Sequence, residues 1–337
     1  MSLNELSSIM LPLVETELHR QVNILDERHT VSFYDMLAYH MGWNGEGAGP
    51  DTQGKRIRSL LLLLTCASCN GDWMLALPAS AAVELVHNFS LVHDDIQDNS
   101  PKRRGRDAVW KKWGMPQGIN TGDALFVLSN LAVLDLARSF PAETVIKSAN
   151  ILHTACLNLT RGQYLDISYE RLDEVTIEDY WMMVSDKTAA LLSACCSLGA
   201  ILSETDVETQ DAYRNFGHYL GLAFQVQDDF LGVWGDSALT GKSSESDLLS
   251  GKKSLPVLFG LEKRGSFAER WKKGPLNPDE VSGMAEQLST EGGRLYTMEA
   301  SDQMMDLALQ SLRLADPKSE AGEALFELTN RLLSREA

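Results

Sequence analysis

No apolar run in this sequence is long enough to cross a bilayer. The longest, around residues 60–67, falls far short of the roughly 20 residues that a helical span needs. The N-terminus lacks a basic stretch followed by an apolar one, so no signal peptide is expected. Cysteine is scarce and odd in number: five among 337 residues (Cys66, Cys69, Cys156, Cys195, Cys196), which argues against a secreted disulfide framework. Cys66 and Cys69 have C-x-x-C spacing, but they follow a leucine run in a helical context with no second ligand pair nearby. They read as reduced thiols on a helix. Positive charge is in deficit, with a formal net charge of −17, whereas a nucleic-acid partner requires a basic surface. Sustained period-two alternation is missing, as are short repeats and low-complexity linkers. These absences predict a soluble, cytoplasmic, all-α protein with no membrane span.

What is present suits a large helical core. The hydrophobic share is 44% and the charged share 23%, ordinary for a globular protein of this length. Helical spacing of apolar residues predicts helices over 3–26, 32–42, 55–68, 75–98, 120–138, 144–169, 177–203 and 207–233, with more across 252–262 and 278–334. The breaker-rich segment 44–54 reads as a loop and 235–251 as a polar connection. A single domain, 1–337, is the economical reading.

The chain is organised around 87–105, H-N-F-S-L-V-H-D-D-I-Q-D-N-S-P-K-R-R-G. An apolar helix delivers Asp94, Asp95 and Asp98, a turn follows at Ser100-Pro101, and then come Lys102, Arg103 and Arg104. Asp94 and Asp98, at i and i+4, share a helix face and repel each other. A hard divalent cation with oxygen ligands offsets that cost. The arginines suit phosphate, because the guanidinium fork meets phosphate oxygens bidentately. A local basic pocket of this kind is compatible with an acidic protein. A second acidic pair, Asp228-Asp229, lies on another apolar helix after Gln225, with Gly232 and Asp236 at i+4 and i+8 from Asp228. Buried carboxylates are costly unless paired or metal-bound, so two such helices facing each other would form a metal site. An acidic helix end beside a solvated basic turn explains either segment alone, but accounts poorly for both.

On these residues the chain resembles the trans-isoprenyl diphosphate synthases, or polyprenyl synthetases. The matches run in order from Gly54 to Pro256: G-K-R-I-R (54–58), H-D-D-I-Q-D-N-S-P-K-R-R-G (93–105), D-K-T (186–188), F-Q-V-Q-D-D (224–229), T-G-K (240–242) and G-K-K-S-L-P-V (251–257). The resemblance implies an all-α helical bundle around a central cavity, a homodimer, and three Mg²⁺ ions, with Mn²⁺ able to stand in. It also implies isopentenyl diphosphate and an allylic prenyl diphosphate as substrates. Carried over residue by residue, Asp94 and Asp98 hold two ions and Asp228 the third. Arg103, Lys187, Thr188, Gln225, Lys242 and Lys252 contact the allylic diphosphate or its metal cluster, and Lys55, Arg58, His87 and Arg104 hold the diphosphate of isopentenyl diphosphate. Asp94, Asp98, Lys187, Asp228 and Lys242 form the catalytic group.

Three departures from the family pattern stand out: Gly232 where a third aspartate is usual, Gln53 for a glycine and Ser59 for a proline. The Asp228…Gly232…Asp236 pattern faintly resembles the second metal motif of class I terpene cyclases, which is the alternative enzyme reading. A non-catalytic partner subunit of a prenyl synthase is another. Cyclases generally lack the isopentenyl site, so Lys55, Arg58 and Arg104 favour chain elongation. Five residues before Asp94 stands Phe89, a little over one helical turn deeper, followed by the small Ser90. A ring there would act as a floor to product growth, which points to geranylgeranyl diphosphate first and farnesyl diphosphate second. Ordinary core packing explains Phe89 nearly as well.

Overall fold

Leu77–Gln97, the acidic-ended helix α5, is small or apolar at every position from 79 to 86 except Glu84, and all of these residues are buried. A helix of that composition belongs at the centre of a bundle. Pro78 stands in its first turn, where a missing N–H is no loss. In the computed structural model, which describes residues 1–25, 28–235 and 246–334, α5 packs against α1 (Leu3–Val22), α4 (Ile57–Ser68) and α7 (Met115–Leu134). The approach to α7 is close: a Cβ on Gly122 would lie 2.2 Å from Nε2 of His93. With 78% of the structure helical, the all-α expectation holds.

The chain divides into two compact units. The first comprises Met1–Thr154, Ala194–Asp211 and Asp316–Glu327; the second comprises Ala155–Ser193, Ala212–Ala315 and Leu328–Ala337. In the second unit, α9 (Ile177–Val184) is opened by a Thr176–Asp179 capping box and feeds directly into a π-helical turn, Ser185–Ala189. Such wide turns tend to mark functional positions. α11 (Val207–Trp234) and the helix Leu255–Lys263 close a core of Tyr180, Val184, Leu222, Val226, Leu255 and Leu258. Burying Leu255 or Val226 stabilises the unit by about 1.5–3 kcal/mol each.

Several boundaries differ from the sequence reading, for local reasons. α4 begins at Ile57, not at Lys55, because Arg56 adopts a left-handed backbone (φ 49°) just before it. The segment 44–54 is not wholly loop: Pro50–Gln53 forms a helical turn, α3. α7 starts at Met115, earlier than 120, with Gly114 before it and Pro116 in its first turn. By length and composition alone, Met115–Arg138 is a candidate membrane span, with 44% of its apolar 18-residue stretch buried within the protein. Its apolar residues are interrupted by Asn120 and Asp123, so a search for unbroken runs does not reveal it.

Candidate active site

α5 ends at Gln97, and Asp98 caps it, its N–H donating to the Asp94 carbonyl at 2.8 Å. Asp94 is half-buried and Asp98 exposed, so the pair stands at the helix end as its spacing requires. Asp95, one residue on and therefore rotated about 100° around the helix, points inward and is 1% exposed. Burial pushes its carboxyl up, against the pull of Arg103. Arg103 donates to Asp95 Oδ1 from Nε at 2.9 Å and from Nη2 at 2.6 Å.

A two-residue hairpin presents the arginines. Lys102–Arg103 (β1) pairs antiparallel with Arg106–Asp107 (β2), and Arg104 and Gly105 form the tip with φ of 51° and 77°. Positive φ at both central residues gives the turn whose twist suits a tight hairpin. Arg104 reaches back from it, donating to the carbonyls of Thr52 at 2.9 Å and Gln53 at 3.1 Å. Gly54 (φ 84°) is needed beside it, since a Cβ there would lie 2.9 Å from Arg104 Nη2.

Lys55, Arg58, His87 and Arg104 line one cavity of about 210 Å³, together with Gln53, Gly54, Arg56, Ile57 and Glu84. All four residues that the sequence reading assigned to isopentenyl diphosphate are thus brought together. Four cationic side chains face one carboxylate in this cavity. Burial, with Arg58, Arg104 and Arg56 nearby, holds the His87 imidazole far below its usual range, so it is a neutral hydrogen-bonding group here. Burial and Arg56 bring Arg104 down to about 10, and burial lowers Arg58 against the opposing pull of Glu84. Guanidinium groups crowded together at a buried site favour an anion among them. Arg56 differs from its neighbours in that it turns inward to Glu15 Oε1 at 2.6 Å. Ser59 donates its N–H to Glu84 Oε1 at 3.3 Å and its hydroxyl to the Ser80 carbonyl at 2.7 Å. A proline at 59 could make neither bond.

In the second unit, the aspartate pair on α11 divides in the same way as the first. Asp228 is half-buried, while Asp229 is 1% exposed and fully engaged. It accepts from Gln225 Nε2 at 3.0 Å and from the Leu255 N–H at 3.1 Å. Gln225 in turn accepts from Thr188 Oγ1 at 2.8 Å. Lys252 Nζ lies 3.6 Å from Asp229 Oδ1; burial pulls this lysine down, but Asp229 and Asp247 outweigh burial and raise it. Thr188, Gln225 and Lys252 therefore form one chain with Asp229, a role that the sequence reading did not foresee. Lys187, on the π turn, pairs with Asp166. Gly162 lets this turn approach α8 (Ala142–Arg171), because a Cβ there would lie 2.2 Å from the Lys187 nitrogen. Lys242 and Asp236 lie outside the described residues.

Phe89 packs against Phe126 and His93, with ring centroids 5.2 and 5.8 Å away, and Ser90 turns its hydroxyl back to the His87 carbonyl at 2.8 Å. Among the described residues, no three His, Cys, Asp or Glu side chains gather as a ready-made metal cluster. The donors at hand are carboxylates alone, and Asp247 Oδ2 is buried without a well-aligned hydrogen bond. An oxygen-only set of that kind fits a hard cation such as magnesium. Asp95, Asp229, Asp166 and Glu84 were not assigned roles from sequence. An acid inside an apolar helical run, as at Glu84, is the signal that could have found one of them.

Comparison with known proteins agrees with the motif order. The sequence pattern of the family described as polyprenyl synthetase matches residues 49–287. A geranylgeranyl diphosphate synthase of Mycobacterium tuberculosis is 36% identical over 326 residues, covering 95% of this chain and 90% of the relative. A (2E,6E)-farnesyl diphosphate synthase of Mycobacterium bovis is 33% identical over 313 residues, covering 90% and 86%. The crystal structure of a polyprenyl synthetase from Streptomyces coelicolor A3(2) superposes with a TM-score of 0.88 at 34% identity, covering 98% of this chain and 100% of that one. The chain therefore belongs to the polyprenyl synthetase family, the trans-isoprenyl diphosphate synthases.

Proposed function

We propose that this enzyme condenses isopentenyl diphosphate with an allylic diphosphate to give a short-chain all-trans prenyl diphosphate, geranylgeranyl first and farnesyl next. The cationic cavity of Lys55, Arg58, His87 and Arg104 carries this reading, because a cyclase of allylic diphosphates has no use for a second diphosphate site. The similarity to a geranylgeranyl synthase, with a farnesyl synthase close behind, supports the product order.

Asp94, Asp98 and Asp228 would hold magnesium, three ions in all, with Mn²⁺ able to replace it. Bound there, the metal supplies Lewis-acid stabilisation to the negative charge of the departing diphosphate. Arg103, Lys187 and Lys242 add preorganised positive charge at the same group. Thr188, Gln225 and Lys252 contribute by fixing Asp229, the neighbour of Asp228. Lys55, Arg58, Arg104 and neutral His87 hold isopentenyl diphosphate by its diphosphate. Its double bond attacks the allylic carbon as that carbon's bond to oxygen breaks, and the proton then lost passes to the released diphosphate. Apolar helix walls exclude water that would quench the cation. The chemistry requires no side-chain nucleophile.

Incubation with Mg²⁺, isopentenyl diphosphate and dimethylallyl, geranyl or farnesyl diphosphate, followed by mass analysis, tests the proposal. Diphosphates extended by five carbons are expected. Hydrocarbons would indicate a cyclase instead, and no turnover would indicate a non-catalytic subunit. In the same assay, Phe89→Ala should lengthen the product if Phe89 is the floor. An unchanged product distribution from a folded, active variant would contradict that role.

The remaining readings rest on weaker supports. A homodimer is favoured by the exposed stripe Ile119, Phe126, Val127, Leu131 and Leu134 on α7, and light scattering should give twice the chain's 37.3 kDa. A solution mass of one chain would reject it. A single domain is supported by helices such as α8 and α11 that run without a break through both units. The five free thiols suit a reducing cytoplasm.

A further inference from the structure

One turn beyond Asp228 on α11, residue 232 is glycine, yet the space beside it is filled. A Cβ on Gly232 would lie 2.5 Å from Oδ2 of Asp247, 2.6 Å from its Cγ and 2.9 Å from its Oδ1. The Asp247 carboxylate therefore lies against the Asp228 face of α11, where a side chain at i+4 would begin. The end of α5 carries two carboxylates at this same spacing, Asp94 and Asp98. α11 reproduces the pair with one acid of its own and one delivered by the short helix Ser246–Ser250.

Two further observations separate Asp247 from an ordinary packed acid. Its Oδ2 is buried without a well-aligned hydrogen bond, the Ser254 hydroxyl and the Lys252 ammonium being the polar groups beside the carboxylate. That is a costly state for a carboxylate oxygen, unless it serves something that arrives later. Its backbone, by contrast, is well fixed: the Asp247 carbonyl accepts from the Lys252 N–H at 3.0 Å and from Ser250 Oγ at 3.2 Å. The neighbouring acid, Asp229, already accepts from Gln225 and Leu255 and is not free in this way.

We propose that Asp247 is a positioning carboxylate for the magnesium held at Asp228, supplying from a different helix the oxygen that Gly232 cannot. This rests on the reading of Asp228 as a magnesium ligand. From the helix beside Gly232, Asp247 would act on the ion through an intervening water.

Calorimetry of inorganic pyrophosphate binding over a series of Mg²⁺ concentrations tests the assignment. Asp247→Asn should raise the half-saturating Mg²⁺ concentration by about tenfold or more, the usual cost of losing an outer-shell partner. It should not lower the melting temperature of the metal-free protein, as loss of a purely structural acid would. Gly232→Asp alone forces two carboxylates into one space and should weaken binding. Gly232→Asp combined with Asp247→Ala should recover most of it. Wild-type Mg²⁺ dependence in Asp247→Asn, or a folded double variant no better than Asp247→Asn, would overturn the proposal. Asp228→Asn separates the two levels: if only that variant is impaired, the Asp247 assignment falls alone, and if neither is impaired, the magnesium reading falls with it.

Discussion

Asp94→Ala is expected to lower kcat/KM by about 10³-fold or more while the protein stays folded. The size follows from what the carboxylate holds. A metal at the departing diphosphate supplies several kcal/mol of transition-state stabilisation, and each ~1.4 kcal/mol is a factor of ten in rate. The fold should survive because Asp94 stands at the wrong end of its helix for stability. The last turn of α5 gathers Asp94, Asp95 and the capping Asp98 at the negative end of the helix dipole, where each carboxylate charge is unfavourable. Removing one of these charges should leave the metal-free melting temperature equal or slightly raised. Steady-state kinetics beside a thermal melt checks both halves. A variant with unimpaired kcat/KM, or one that loses activity only because it unfolds, contradicts the role assigned to Asp94.

Gly162→Ala should be the most damaging substitution of a residue that touches no substrate. The added carbon would lie 2.2 Å from the Lys187 nitrogen and 2.6 Å from its Cα, with the Asp186 carbonyl carbon at 2.8 Å. These are backbone atoms, so no side chain can swing aside, and the π turn itself must move. Overpacking of this kind costs about 1–3 kcal/mol, roughly 2–10 °C in melting temperature for a unit of this size. Because the turn carries Lys187 and Thr188, a shift near 1 Å should also reduce kcat by about 10²-fold. Gly283→Ala is the internal control: nothing lies within 4 Å of a Cβ there, on the helix Pro278–Thr290, so that change should be neutral or stabilising. Equal melting temperatures for the two variants would show that the close approach at Gly162 is not what holds the turn.

Much of the fold is legible in the sequence because helical periodicity is strong in α5, α7 and α11, and the motifs fall on those helices or at their ends. The grouping of Lys55, Arg58, His87 and Arg104 around one cavity also follows the motif reading. What escaped has a common physical cause. A run of like residues does not say which member turns inward: in K-R-I-R, Arg56 is consumed by Glu15, and in each Asp-Asp pair one carboxylate is fully buried while its neighbour is half-buried. A single step of about 100° around a helix makes that difference, and only packing sets its phase. The π turn is not marked by the local spacing of 185–189, and the glycine it packs against, Gly162, stands more than twenty residues earlier. Helical spacing past Gly232 drew attention to Asp236, whereas the carboxylate beside Gly232 arrives from Asp247, which no periodicity along α11 can reveal.

The central claim is that Asp94 and Asp228, from distant segments, serve one metal-bound diphosphate. Calorimetric binding of inorganic pyrophosphate in saturating Mg²⁺, measured for wild type, Asp94→Ala, Asp228→Ala and the double variant, tests this most directly. Residues acting on one ligand are coupled, so each single change should remove most of the binding and the double should be little worse than either. Losses that simply add, or a single variant that binds as wild type does, would contradict the account.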